Sequence, residues 1–188
     1  MEREPQSAYS RLKASGLLEA LGERLPQASL YRFCQLLEAA LPGNPPLGST
    51  SNPADDAVRF RPHPGMGFPA SELKAFEVDE ENPLRPITVR TRLLGLYGVD
   101  SPMPTAYLDD IAQRREGHEA LEAFLDIFNP RIFTQFYRIW RKYSYPASFE
   151  AGGADDTSQC LLGLIGLGIP GTAEHIATPV SAFSRCWA

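Results

Sequence analysis

At 188 residues the chain is long enough for one ordinary domain, or one with a small extension, needing neither disulfides nor metal to bury a core. A net charge of -5 argues against nucleic acid as the main partner. No apolar run approaches the roughly 18 residues of a membrane span, and the start MEREPQSAYSRLKASG has no apolar stretch of the signal-peptide kind.

Proline at 17 of 188 positions exceeds the roughly 5% norm, so many turns should be fixed in shape. Three widely spaced cysteines, Cys34, Cys160 and Cys186, fit a reducing cytosol and use as small buried apolar groups.

In chain order, residues 17–25 predict a short helix with Leu17, Leu18, Leu21 and Leu25 on one side, interrupted by Pro26. Ser29 caps a second helix whose Leu30, Phe33, Cys34, Leu37 and Leu41 form one apolar face. Pro42 and Gly43 stop it, and residues 42–56 read as an exposed loop. AVRFR alternates as a half-buried strand ended by Pro62 and Pro64, and residues 63–67 form a turn. Ser71 is expected to cap a single helical turn before a strand over LKAFEV. PITVRTRLL, with Ile87, Val89, Thr91 and Leu93 on one face, is the clearest strand pattern. These strands suggest a small antiparallel sheet.

Thr105 is the expected N-cap of a helix with Tyr107, Leu108 and Ile111 on its apolar face, broken by Gly117. Leu121, Phe124, Leu125 and Phe128 predict another core-facing stripe, ending at the Asn129-Pro130 junction. A helix from Pro130 to about Tyr143 should bury Phe136 and Trp140 and carry Arg131, Gln135, Arg138 and Lys142 on the opposite side. An acidic cap at the end of AGGADDTS then starts a helix running to Ile165. The fold class is α+β, mainly helical with that small sheet. The expected organisation is an N-terminal helical arm (1–28), a core domain (29–170) and the start of a C-terminal region (171–188).

The literal GxGxxG at residues 166–171 follows a predicted helix and contains Pro170, so it reads as a helix C-cap and turn rather than a dinucleotide loop. His63, His118 and His175 are scattered, and no zinc or calcium signature is present. Asp109-Asp110 and Asp155-Asp156 read as carboxylates near helix starts, stabilised by the helix dipole. No GxSxG elbow or local cysteine signature marks a nucleophile. The residues thus place no catalytic set, metal or cofactor. The alternative is a small cytosolic enzyme, a hydrolase whose site is assembled from distant residues. A nucleotide-binding module is a weaker reading.

Three blocks, FRPHPGMGFPASEL, LLGLYGVDSPMPTAYLDDI and FLDIFNPRIFTQFYRIW, resemble in order and spacing the type VI secretion baseplate subunit TssG, the ImpH family. The upstream LYRFCQLLEAALPGNPPLG is similar to that family's opening region, and the resemblance spans residues 25–170. Pro130 stands where the family commonly has histidine, and the chain resembles the family's N-terminal portion. The resemblance implies a phage-baseplate-like, cytoplasmic, non-enzymatic scaffold that joins two TssF copies, presents loops to TssK trimers and meets TssE.

The candidate docking loops are residues 42–56 and 62–69, with Pro45, Pro46, Leu47, Met66 and Phe68 as exposed apolar anchors. Pro102, Met103 and Pro104 in the next turn are further candidates, as are the basic Arg131, Arg138 and Lys142.

Overall fold

A computed structural model describes residues 12, 15–50, 56–78, 86–150, 152–169, 175 and 182. Two compact units divide the chain, Met1–Tyr137 and Arg138–Ala188.

In the first unit, helix α1 (Leu17–Leu21) runs into a 3-10 helix (Gly22–Gln27) that accommodates Pro26. Helix α2 (Leu30–Ala40) starts where predicted, because the Ser29 hydroxyl accepts the Arg32 amide at 3.2 Å. A second of its free amides, that of Leu30, donates to the Glu72 carboxylate at 2.7 Å, which fastens the helix start to the segment entering β2. Leu30, Phe33, Cys34, Leu37 and Leu41 are all buried, as their spacing requires. Burial and the nearby Glu38 carboxylate push the Cys34 thiol far above its ordinary range, so it stays protonated. Cys160, by contrast, is exposed, against expectation, and Cys186 lies outside the described residues.

The sheet contains β1 (Val58–Pro62), β2 (Leu73–Glu77) and β3 (Ile87–Thr91) in the order β1-β3-β2. It is mixed rather than antiparallel: β3 runs parallel to β1 and antiparallel to β2. Side-chain alternation assigns faces but not partners, and the strand that comes last in the chain takes the centre. Pro62 is the last strand residue rather than its stop, and β3 ends at Thr91, before Leu93. Ser71 caps no helical turn; its hydroxyl donates to the Leu73 carbonyl at 2.9 Å as the chain enters β2.

Register makes the two faces unlike. Phe60, Val89 and Phe76 lie side by side on one face. Phe33 of α2 covers them, its ring 6.3 Å from Phe60 and 5.9 Å from Phe76. Phe133 closes the other side of Phe60 at 5.7 Å. The opposite face carries Arg59, Arg61 and Arg90.

Helix α3 (Thr105–Ala112) begins at Thr105 with Pro104 as its cap residue, so Thr105 is the first helical residue and not the N-cap. Asp109 and Asp110 therefore fall late in this helix, where they hold Arg115 at 2.8 Å and 3.0 Å. Helix α4 (His118–Leu125) follows Gly117, whose φ of 87° supplies the left-handed entry. Helix α5 (Asn129–Tyr143) starts at the predicted junction and continues into the second unit.

The second unit contains the end of α5, the short α6 (Tyr145–Ser148) and α7 (Asp156–Leu164). Asp155 caps α7 by accepting the Ser158 amide at 3.0 Å, matching the acidic start expected. At its other end Gly166 takes φ 82°, and the Leu167 amide reaches back to the Leu162 carbonyl at 2.8 Å. The glycine motif is thus a helix terminator at the described residues 166–169, and Pro170 and Gly171 lie outside them.

Candidate docking surface

The three conspicuous sequence blocks meet at the open end of the sheet. The turn after β3 folds over Pro62 and His63, and two glycines let it approach. A β-carbon on Gly95, at φ 135°, would lie 2.3 Å from Pro62 Cγ; one on Gly98, at φ 103°, would lie 2.9 Å from the His63 carbonyl oxygen. Asn129, fully buried at the start of α5, accepts the Leu96 amide at 2.9 Å and donates to Asp126 at 3.0 Å. Ser101 donates to the Leu96 carbonyl at 2.7 Å and accepts the Met103 amide at 3.1 Å, fixing the turn that ends in Pro102 and Pro104.

Beneath this turn lies a polar network, buried at Tyr97, Asp126 and Asn129 and open to solvent at Glu77. The Tyr97 hydroxyl donates to Asp126 at 2.8 Å, while Arg90 reaches Glu77 at 2.8 Å, Glu122 at 3.2 Å and the Pro62 carbonyl at 3.0 Å. Arg61 Nε stands 3.1 Å from Asp126 Oδ2, an ion pair without hydrogen-bond geometry. Burial, then the Asp126 carboxylate, raises the Tyr97 hydroxyl well above its usual range. Burial opposes the charge on Arg90, but bonds to Glu77 and Glu122 outweigh it and hold the guanidinium more firmly protonated than usual. On His63, burial and the cations Lys74, Arg92 and Arg90 act together to lower the imidazole pKa.

The predicted anchors separate on this frame. Phe68 is 91% exposed and Met66 49%, and Val99 of the glycine turn is exposed nearby. His63, Arg92, Phe68 and Val99 line a small depression of about 90 Å³ between the loop and the turn. Pro102 and Pro104 are exposed, but Met103 is half-buried against Tyr97, Leu108, Ile111 and Leu125, so it supports the turn from below. In the first loop Pro45 and Pro46 are exposed, whereas Leu47 is buried and its amide donates to Glu38 at 3.1 Å. Composition could not show that Glu38 reaches out of α2 to claim that amide. Residues 51–55 lie outside the described residues. Arg131 is half-buried and donates to the Gly48 and Thr50 carbonyls, so it braces this loop instead of offering a basic docking face. Arg138 and Lys142 are exposed on the part of α5 in the second unit.

Sequence reasoning missed a second apolar patch. Phe124, Ile127 and Phe128 are 56%, 66% and 46% exposed, and the two phenylalanine rings meet edge-on at 5.5 Å. Leu125 alone of the predicted stripe is fully buried, while Leu121 is half-buried. The signal was in the sequence: Leu121, Phe124, Leu125, Ile127 and Phe128 span more of a helix circumference than one core contact can cover. Phe136 and Trp140 are half-buried rather than core residues, and Phe136 packs on Tyr31 at 5.8 Å.

As for chemistry, the described residues contain no group of three or more potential metal ligands. A cleft beside the polar network is lined mainly by charged and imidazole groups together with Pro64 and Ile111, with no serine, threonine or cysteine among its described lining residues. No described helix is long and apolar enough to cross a membrane.

A mainly helical unit around a small mixed sheet, closed by the glycine turn and edged with exposed aromatic groups, has the character of a component built to dock onto other proteins. The sequence pattern of the family described as "Type VI secretion, TssG" matches residues 24–188, and the chain belongs to that family. Among solved structures, a chain of the baseplate complex from the type VI secretion system is similar at 57% identity over 93% of this chain, with a TM-score of 0.54. This chain spans 50% of that one's length. A chain of a TssK-TssF-TssG baseplate subcomplex matches at 71% identity over 33% of this chain and 26% of its own, with a TM-score of 0.28. No curated protein matches.

Proposed function

We propose that the chain is a non-enzymatic structural subunit of the type VI secretion baseplate wedge, bridging TssF copies and docking TssK trimers, with TssE as a further neighbour. The observation that carries this reading is the 57% identity to a chain of a baseplate complex across 93% of the sequence. In this reading it works in the cytoplasm, at a baseplate docked to the inner membrane, where wedges surround the central spike. The exposed apolar loops support the assignment, since a scaffold must carry surfaces that only partners cover.

Phe68, Met66 and the Pro102 to Pro104 turn form the docking face that we assign to TssK or TssF. Pro45 and Pro46 form a second contact, and Arg138 and Lys142 a basic one. Proline and the glycine-tight turn hold such loops in shape before binding, which reduces the ordering cost. Co-expression with TssF and TssK followed by affinity purification tests the assignment. A stable complex containing all three is expected, and failure to retain either partner would overturn it.

A further inference from the structure

The polar side of the sheet borders a cleft of about 380 Å³, and its walls include His63, Lys74, Arg90, Arg114 and Glu122. Two of these cations are set there by backbone features that ordinary folding would avoid. In the pairing of β2 with β3, Leu73 faces Thr91 and Ala75 faces Arg90, which leaves Lys74 as the extra residue of a bulge. Bulges re-aim a side chain, and here the ammonium lies 3.1 Å from His63 Nε2. Arg114 has φ 53° just past the end of α3, a left-handed position where glycine is the low-cost residue.

The charges in the cleft are unevenly satisfied. Arg90 engages both Glu77 and Glu122. Among the described residues, no carboxylate lies within ion-pair distance of Lys74 or Arg114. The neighbour that Lys74 does have is an imidazole, which can accept a hydrogen bond from the ammonium but carries no negative charge to balance it. A bulge and a left-handed residue that together turn two cations, neither with a carboxylate partner among the described residues, onto one cleft point to an anionic ligand.

We propose that this cleft receives an acidic side chain from a protein partner, its carboxylate engaged by Lys74 and Arg114. The proposal rests on the docking role above. A singly charged carboxylate suits the site better than a phosphate, because Glu77, Glu119 and Glu122 also line the wall and would oppose a dianion.

The test uses the full chain and a fluorescein-labelled, glutamate-rich peptide with an amidated C-terminus, followed by anisotropy at low salt. Saturable binding is expected, and Lys74→Glu and Arg114→Gly should each weaken it about tenfold or more. Arg114→Gly should at the same time hold or raise the melting temperature, since glycine suits that backbone; lost binding then cannot be ascribed to unfolding. Equal binding by the variants, no saturation by the parent, or equal competition by inorganic phosphate would each overturn the proposal. The chain's own Asp79, Glu80 and Glu81 supply a control: neutralising all three should leave affinity unchanged, and a rise would reassign the cleft to them. Co-purification of the parent with TssF and TssK separates the two readings. A parent that co-purifies but binds no acidic peptide loses only the cleft, and one that binds peptide but retains neither partner loses only the baseplate role.

Discussion

The two faces of the three-stranded sheet solve the same problem by different physics. One is covered by Phe33 and Phe133, packed on Phe60 and Phe76 at ring separations of 5.7 to 6.3 Å. The other is covered by α4 and the glycine turn, through Arg61, Arg90, Tyr97, Glu122, Asp126 and Asn129. Apolar burial is non-directional and tolerates exchange of shape at constant volume. A buried polar network tolerates almost none, because each lost partner leaves a desolvated group behind. The polar face therefore fixes geometry, and it is the face that carries the shaped turn and its exposed anchors.

Truncation on each face sharpens this contrast. Phe60→Ala should cost about 3–5 kcal/mol, measured by urea unfolding, because the ring is fully buried between two others. Phe60→Leu should recover most of that. Asp126→Ala should cost about 3 kcal/mol by stranding Arg61, Tyr97 and Asn129 together. The conservative Asp126→Asn should recover little, since it leaves Arg61 without a counter-charge. If Asn restored stability as well as Leu does on the apolar face, the distinction between the faces would collapse. Gly95→Ala comes next, at about 2–3 kcal/mol, since its methyl group would meet Pro62 at 2.3 Å on a backbone few residues adopt.

The same contrast explains what the sequence revealed. Helix α2 was legible because one hydroxyl cap and a 3.6-residue apolar spacing both act within a few residues of chain. The faces of β1 and β3 were legible for the same reason, their period of two being local. Strand order was not, because β2 lies between β1 and β3 in sequence yet at the edge in space. Nor was the polar network, whose bonds join residues such as Leu96 and Asn129, 33 positions apart. Of the candidate surface, Met66 and Phe68 were legible as apolar residues in a proline- and glycine-rich turn. Leu47 and Met103 have the same local character but are claimed by other parts of the chain, as is Arg131, a cation on α5 that the 48–50 loop takes up.

A smaller effect is expected in the second unit, where Asp155 repeats on a local scale what the polar face does at long range. Burial pushes its carboxyl up, but bonds from the Ser158 hydroxyl and amide and the Glu150 amide outweigh this and hold it below the ordinary value. A carboxyl with a lower pKa when folded than when unfolded stabilises fully above about pH 4. That contribution disappears as pH falls through the folded value. Asp155→Ala should destabilise α7 by about 1 kcal/mol at neutral pH. The difference from the parent should vanish in strong acid, as read by amide exchange across α7. A difference that persisted there would mean that the cap acts through packing rather than charge.

The least effect on folding should come from Phe68→Ser, because the ring is 91% exposed. Stability should change by no more than about 0.5 kcal/mol in urea. Retention of TssF or TssK in co-purification should nevertheless fall sharply, because exposed aromatic anchors contribute to affinity only once a partner covers them. Pairing this variant with Gly95→Ala separates anchor from frame. Phe68→Ser removes the anchor and leaves the turn intact, whereas Gly95→Ala distorts the turn and leaves the anchor in place. Loss of partner in both, with loss of stability only in the second, is the outcome expected of a rigid frame presenting an apolar tip. Undiminished retention by Phe68→Ser would move the docking face elsewhere, with the Phe124, Ile127 and Phe128 patch the next to test by the same pairing.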